Sequence, residues 1–226
     1  MVTIIQNFLG GDELAACRAE LEGAGWVDGK TTAGKQSASV KANRQLPPDS
    51  RASREWSARI LELLGQNLAF VSAALPDKIL PPMFNRYGEG EHYGLHVDNS
   101  IRTGTNGAKL RSDLSATLFL SDPASYDGGE LLIETSFGTP SVKLPAGSLV
   151  IYPASSRHRV APVTRGERLA AIFWVQSMVR DDAARTMLRE LDVTVQALTA
   201  EHGHTNRHVV TLTGMYHNLL RLWAEV

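Results

Sequence analysis

The stretch FNRYGEGEHYGLHVDNS, residues 84–100, sets His96 and Asp98 two positions apart, directly after a loop carrying Gly88, Gly90 and Gly94. In an extended strand, residues i and i+2 share a face, so an imidazole and a carboxylate project together, as two ligands of one metal do. Taken alone, a His-x-Asp triplet is ordinarily a pair of surface strand residues, and a metal needs a third ligand from elsewhere. Apart from His92 in the preceding loop, the strand-rich part of the chain holds one further histidine, His158, in LVIYPASSRHRVAPVTRGERLA. It lies 60 residues beyond Asp98, a spacing at which a rolled β-fold can return a late strand beside an early one. Two histidines and a carboxylate on one side of a metal form the facial triad that suits Fe(II) and leaves three positions open. A zinc ion on the same ligands would hold a water in its fourth position, and ligand type alone does not separate the two metals.

Arg168 follows His158 by ten residues, past the turn VTRGE. With 158–163 and 167–172 as adjacent antiparallel strands, its guanidinium returns to the level of the metal ligand. An arginine there offers a planar fork to a carboxylate reaching in from the metal; a keto acid chelated at one end and paired at the other satisfies both. The competing reading makes Arg168 a surface residue paired with Glu134 or Glu167.

These residues need a scaffold. From about residue 80 the chain runs in short segments bounded by Gly, Pro or Asp, among them MFNRY, YGLHVD, LSATLFLSD, GELLIE, SLVIYP and ERLAAIFWVQSM. Such spacing predicts a β-sandwich or barrel and not a βαβ fold. Asp-Gly-Gly at 127–129 marks a tight connection. Ahead of the strands, Leu14, Cys17, Leu21 and Ala24 predict a helix over 11–24, and Trp56, Ile60, Leu61, Leu64 and Leu68 a second across 51–74. The polar stretch between them, residues 26–50, reads as a mobile loop or irregular hairpin. After Ser177, helices are expected over 181–198 and 215–224, joined through EHGHTNRH. The fold class is therefore α+β with a mainly β core: N-terminal helices over 1–79, the core over 80–178, and a helical extension over 179–226.

The chain has 226 residues, 43% of them hydrophobic, and a net charge of −1, so no basic footprint points to nucleic acid or an anionic membrane. Cys17, the single cysteine, excludes an intramolecular disulfide, fits a reducing compartment and falls on an apolar helix stripe, the place of a buried thiol. No signal-peptide pattern opens the chain, and no apolar run approaches the roughly 20 residues of a membrane span. A soluble, cytoplasmic protein is expected.

The segments RYGEGEHYGLHVD, ATLFLSDPASYDGGEL and LPAGSLVIYPASSRHRVAPVTRGER, in this order, resemble the iron(II)- and 2-oxoglutarate-dependent dioxygenases of the prolyl-4-hydroxylase-like class. The likeness is nearer to the bacterial PKHD-type hydroxylases, and extends from FLGGDEL and WVDGK to YHNLLR near the end. It implies a double-stranded β-helix, or jelly roll, with Fe(II) on His96, Asp98 and His158 and Arg168 anchoring the far carboxylate of 2-oxoglutarate. It implies hydroxylation of a small-molecule or peptide substrate by O₂, yielding succinate and CO₂, with L-ascorbate (vitamin C) as an activator that rescues oxidised iron. The alternatives are a cupin-like metal hydrolase or isomerase, and a jelly-roll sensing module without turnover.

Supporting roles are expected of Tyr87 and Tyr93, whose hydroxyls could bond the cosubstrate, and of Asn85 and Arg86 behind the ligands. Gly128 and Gly129 should serve the backbone. Lys41, Asn43 and Arg44 are a substrate lid or a solvated loop. His92 is expected to be exposed, and His202, His204 and His208 to belong to a connector. The apolar stripes of the C-terminal helices, including Leu191 and Trp223, should pack on the core or the N-terminal helices and join copies into a homo-oligomer.

Overall fold

The computed structural model describes residues 1–32, 38–104 and 107–226. The first helix, α1, spans Gly11–Glu22 and buries Cys17 and Leu21, the stripe read from their spacing. The helix expected across 51–74 is two helices: α2, Arg51–Gln66, and α3, Leu68–Ala74. Asn67 separates them with an extended backbone (φ −84°, ψ 102°), and its side-chain oxygen accepts a hydrogen bond from the Phe70 amide at 2.9 Å. Such a cap contributes about 1 kcal/mol and offers the chain an alternative to continuing the helix. The apolar period runs straight through this break, so it does not register it.

Most of the described strands fall into two facing antiparallel sheets, beside two small two-stranded ones. The larger runs in the order Thr3–Ile5, Leu149–Pro153, Leu114–Phe119, Arg168–Ser177, Met83–Tyr87, Arg44–Gln45 and Val27–Asp28, with Pro76–Ile79 also pairing with Arg168–Ser177. The smaller runs Ser141–Val142, Leu131–Ile133, His158–Val160, His92–His96 and Lys41–Ala42. Together they form the expected double-stranded β-helix, with helices on one side.

Period-two alternation sorts the larger sheet into two faces. Leu114, Ala116 and Leu118, with Leu169, Ala171 and Phe173, point outward and share one core with Cys17, Ile60, Leu64 and Phe70 of the helices. Fully buried apolar side chains of this kind contribute roughly 1.5–3 kcal/mol each. The alternate residues point inward. Tyr87, Phe119, Val150 and Tyr152 meet Leu131, Ile133 and Val160 of the smaller sheet, and Ser115, Thr117 and Arg168 are buried polar residues of the same alternation. The helices thus close one face of the sheet and leave the other to form the site.

Two expectations change. Strands 158–160 and 168–177 are not neighbours: the first pairs with Leu131–Ile133 and His92–His96, the second with Leu114–Phe119 and Met83–Tyr87. The intervening Val163–Arg165 pairs with Asp127–Gly128, and the chain passes from one sheet to the other instead of turning back in a hairpin. The stretch 26–50 is also more ordered than a polar composition suggests, because Val27–Asp28 and Arg44–Gln45 extend the larger sheet and Lys41–Ala42 the smaller. Residues 33–37 of the expected mobile loop lie outside the described residues.

The C-terminal helices are longer than expected, α4 over Asp182–His202 and α5 over Arg207–Trp223. Caps set their starts: Asp181 accepts from the Ala184 amide at 2.7 Å, and Asn206 from the His208 amide at 2.9 Å. The connector shrinks to 203–206, because exposed polar residues on either side continue the helices at no desolvation cost. Leu188 and Ala184 are buried with Leu75 and Val179, and Tyr216, Leu220 and Trp223 pack against them. Arg189 donates to the Ser72 hydroxyl of α3 at 2.8 Å, so the pair docks on the N-terminal helices, as the stripes required. Among the described residues, no helix is long and apolar enough to cross a membrane.

Candidate active site

His96 ends a strand of the smaller sheet, and His158 begins the neighbouring one, directly across from it in register. Their rings lie 4.3 Å apart between centroids. Asp98, just past the strand end, places Oδ2 at 3.7 Å from His158 Nε2. One potential ligand atom from each of His96, Asp98 and His158 lies within 4.8 Å of the others. Among the described residues, this is the one group of three or more His, Cys, Asp or Glu side chains close enough to hold a metal ion.

Local hydrogen bonds prepare each ligand. His96 Nδ1 faces the Gly94 carbonyl at 2.8 Å, and His158 Nδ1 faces the Ser156 carbonyl at 3.0 Å. A carbonyl can only accept, so each Nδ1 donates to it, which leaves Nε2 as the ring nitrogen turned to a metal. Burial, then proximity to His158, lowers the His96 pKa to about 4, which keeps the imidazole neutral. For Asp98, burial works against ionisation, but His158 and the Ser115 hydrogen bond outweigh it and hold the pKa below the ordinary value. The Ser115 hydroxyl donates to Oδ2 at 2.6 Å and Arg102 Nη2 to Oδ1 at 3.3 Å. Ser115 comes from the inner face of the opposite sheet, so both sheets take part in orienting the carboxylate.

Arg168 is 1% exposed and is the largest fully buried side chain described. Its guanidinium lies 5.3 Å from the Tyr87 ring centroid and 5.2 Å from that of Phe119. Glu134 pairs with Arg157 and Glu167 with Arg86, which removes both partners of the surface reading. The Nε of Arg168 is buried and makes no hydrogen bond. A buried charge without its full set of partners is costly, and a carboxylate entering the cavity would supply them. Arg168 and the three candidate ligands line the same cavity, Arg168 from the larger sheet and the histidines from the smaller.

The other anticipated residues divide. Tyr87 is buried, and that burial raises its pKa well above the usual phenol value. Tyr93 stacks flat on His96, with centroids 3.7 Å apart and planes 17° apart, so its ring packs against a candidate ligand. Asn85 is buried and accepts from Asn43 Nδ2 at 3.0 Å. Arg86 points away into its ion pair with Glu167 and lies over Trp26, which removes it from the surroundings of the ligands. Lys41 and Asn43 are buried while Arg44 is exposed. Gly128 and Gly129 both have positive φ, 71° and 68°. His202, His204 and His208 are exposed, whereas His92 is half-buried, its Nδ1 facing the Gly90 carbonyl at 3.2 Å. Ser115, Arg102 and Trp174 went unnoticed; inward alternation from Arg168 would have found Trp174, and the i+4 offset from Asp98 would have found Arg102.

A PKHD-type hydroxylase from Burkholderia thailandensis is 55% identical over 227 residues, covering 100% of both chains. The chain belongs to the PKHD-type hydroxylases. Within it, residues 82–176 match the 2OG-Fe(II) oxygenase superfamily, and residues 182–225 match the PKHD-type hydroxylase C-terminal domain. Among solved structures, a Pseudomonas putida prolyl-4-hydroxylase shares 23% identity at a TM-score of 0.53, covering 77% of this chain and 92% of its own. HygX from Streptomyces hygroscopicus, solved with nickel and 2-oxoglutarate bound, shares 20% identity at a TM-score of 0.55, covering 78% and 82%. This PKHD-type hydroxylase is an Fe(II)- and 2-oxoglutarate-dependent oxygenase, which decides against the metal hydrolase and the sensor without turnover.

Proposed function

We propose that His96, Asp98 and His158 hold the iron and that Arg168 receives the distal carboxylate of 2-oxoglutarate. The observation that carries this reading is the convergence of three ligand-competent atoms in one cavity with a fully buried arginine whose Nε lacks a partner. The donor set fits Fe(II), since two neutral imidazoles and one carboxylate leave positions open for a chelating keto acid and O₂. When bound, iron and 2-oxoglutarate supply the O₂-dependent oxidation that hydroxylates the substrate, with succinate and CO₂ as products.

The chain's own residues then have defined tasks. The Gly94 and Ser156 carbonyls fix the two imidazoles in the ligating tautomer. Ser115 and Arg102 keep Asp98 ionised and oriented. Arg168 sets the cosubstrate's direction with a paired fork, and Tyr87 and Tyr93 stand along the cosubstrate's position. The apolar rings around Arg168 exclude water, which strengthens its pairing with a carboxylate.

The remaining assignments complete the proposal. L-ascorbate returns oxidised iron to Fe(II), the substrate is a small molecule or a peptide, and the enzyme works in the cytoplasm without nucleic-acid or membrane partners. Residues 1–178 form the dioxygenase domain and 179–226 an extension. Met187, Val193, Val210, Met215 and Leu222 on the extension are exposed, an apolar surface that suits a second copy of this chain; light scattering of a full-length monomer would reject that contact. Elemental analysis tests the metal assignment: one Fe(II) per wild-type chain, and loss of binding in His96→Ala, Asp98→Ala and His158→Ala. A variant that keeps full iron occupancy removes that residue from the set.

A further inference from the structure

Arg168 has more to satisfy than one carboxylate. A guanidinium carries N–H donors on both of its edges, and a single carboxylate fork engages only one edge. The rings of Tyr87 and Phe119 flank the Arg168 guanidinium, with centroids at 5.3 and 5.2 Å, and cover it with apolar surface. In so dry a site, the donors turned away from the cosubstrate need an acceptor from the protein itself.

Tyr126 stands beside that guanidinium. It is wholly buried, and it directly precedes Asp127–Gly128, the strand that pairs with Val163–Arg165 where the chain crosses toward Arg168. The two stretches touch at two glycines. A Cβ on Gly166 would lie 3.2 Å from Tyr126 Cα, and one on Gly129 would meet both the Tyr126 ring edge and the Arg168 stem. Lys143 fixes the tyrosine from its other side, donating to the Tyr126 carbonyl at 2.7 Å with its ammonium 4.1 Å from the ring centroid. Burial raises the pKa of the Tyr126 hydroxyl, and the Arg168 charge is the main influence opposing that rise. Among the described residues, the Tyr126 hydroxyl oxygen and Arg168 Nε are both buried and neither makes a hydrogen bond. A hydroxyl buried in this way destabilises the free protein, and a phenylalanine would fill the same space without it.

We propose that Tyr126 is a positioning residue for the cosubstrate: its hydroxyl oxygen accepts from the Arg168 guanidinium while the arginine's fork engages the distal carboxylate of 2-oxoglutarate. The inference rests on the assignment of Arg168 made above and extends it to a residue behind the cavity wall. Held from behind, the planar guanidinium keeps one orientation, so its two parallel bonds to the carboxylate form with little further loss of side-chain freedom.

The test reads the preference for a distal carboxylate by binding alone. Full-length protein carrying Fe(II) is titrated anaerobically with 2-oxoglutarate and with 2-oxopentanoate, which keeps the chelating keto acid and has a methyl group in place of the distal carboxylate. The visible band of the chelate reports both. Wild-type protein prefers 2-oxoglutarate. Tyr126→Phe weakens 2-oxoglutarate about tenfold and leaves 2-oxopentanoate and Fe(II) binding where they were, because the ring stays and only the oxygen is lost. At saturating 2-oxoglutarate, the variant's band returns to the wild-type position. Unchanged 2-oxoglutarate affinity in Tyr126→Phe, or an equal loss for both acids, would overturn the inference with the Arg168 assignment intact. A wild-type protein that binds the two acids equally would overturn both.

Discussion

Gly129 lies directly against Arg168. A Cβ built on Gly129 would sit 3.1 Å from Arg168 Cδ and 3.0 Å from the Tyr126 ring, at a backbone φ of +68°. The glycine therefore gives the chain a left-handed turn and gives the buried guanidinium stem its room. Gly129→Ala is expected to cost about 1–3 kcal/mol in stability through backbone strain and crowding. It should also weaken 2-oxoglutarate while leaving iron binding intact. Thermal unfolding and cosubstrate titration together check this; an alanine variant with unchanged affinity would detach Gly129 from the cosubstrate site.

Arg168→Ala is expected to lose 2-oxoglutarate and keep iron. Removing the buried partner of a carboxylate costs on the order of 2–5 kcal/mol, roughly a thirtyfold to several-thousandfold loss of affinity. Arg168→Lys should recover only part, because an ammonium cannot form two parallel bonds. Equilibrium titration of 2-oxoglutarate into the Fe(II) protein measures both.

Ser115→Ala removes the 2.6 Å hydrogen bond to Asp98 Oδ2. Loss of a group that orients a ligand typically lowers metal affinity about 10–100-fold. Competition for Fe(II) against a chelator of known strength should show a loss in that range, with the fold unchanged by circular dichroism.

Cys17 supplies a pH prediction. Burial, with Glu20 adding to it, pushes the thiol up to about 12 from 9.0. The unfolded chain then releases this proton at lower pH than the native one, so the contribution to stability is complete below pH 9 and is lost as pH rises toward 12. Near neutral pH, a thiol reagent should label the native protein on the order of a hundredfold more slowly than the urea-unfolded chain. Cys17→Ser should flatten the alkaline loss of stability. Rapid native labelling would contradict the burial.

The site was legible in the sequence to the extent that it is made of unusual residue types at short spacing. His96 and Asp98 share a face by strand period, His158 was the remaining core candidate, and Arg168 follows the last turn. What the spacing could not convey was which sheet each strand joins. His158 and Arg168 looked like partners across a hairpin and instead face each other from opposite sheets, because the chain between them crosses over through the pairing of Val163–Arg165 with Asp127–Gly128. Lys41 and Asn43 sat in a polar stretch that reads as solvated loop, yet the short strands around them bury both and bring Lys41 into the cavity wall. The apolar helix stripes identified Cys17, Ile60 and Leu64 as core, while the break at Asn67 depended on one capping side chain that periodicity does not see.

The central claim is that His96, Asp98 and His158 hold one iron to which 2-oxoglutarate chelates in the cavity of Arg168. Anaerobic visible absorption of the protein with Fe(II) and 2-oxoglutarate measures it most directly. Wild-type protein should show a weak charge-transfer band that needs both additions, and His96→Ala, Asp98→Ala and His158→Ala should each abolish it. A wild-type protein without the band, or a full band in any of the three variants, would contradict the account.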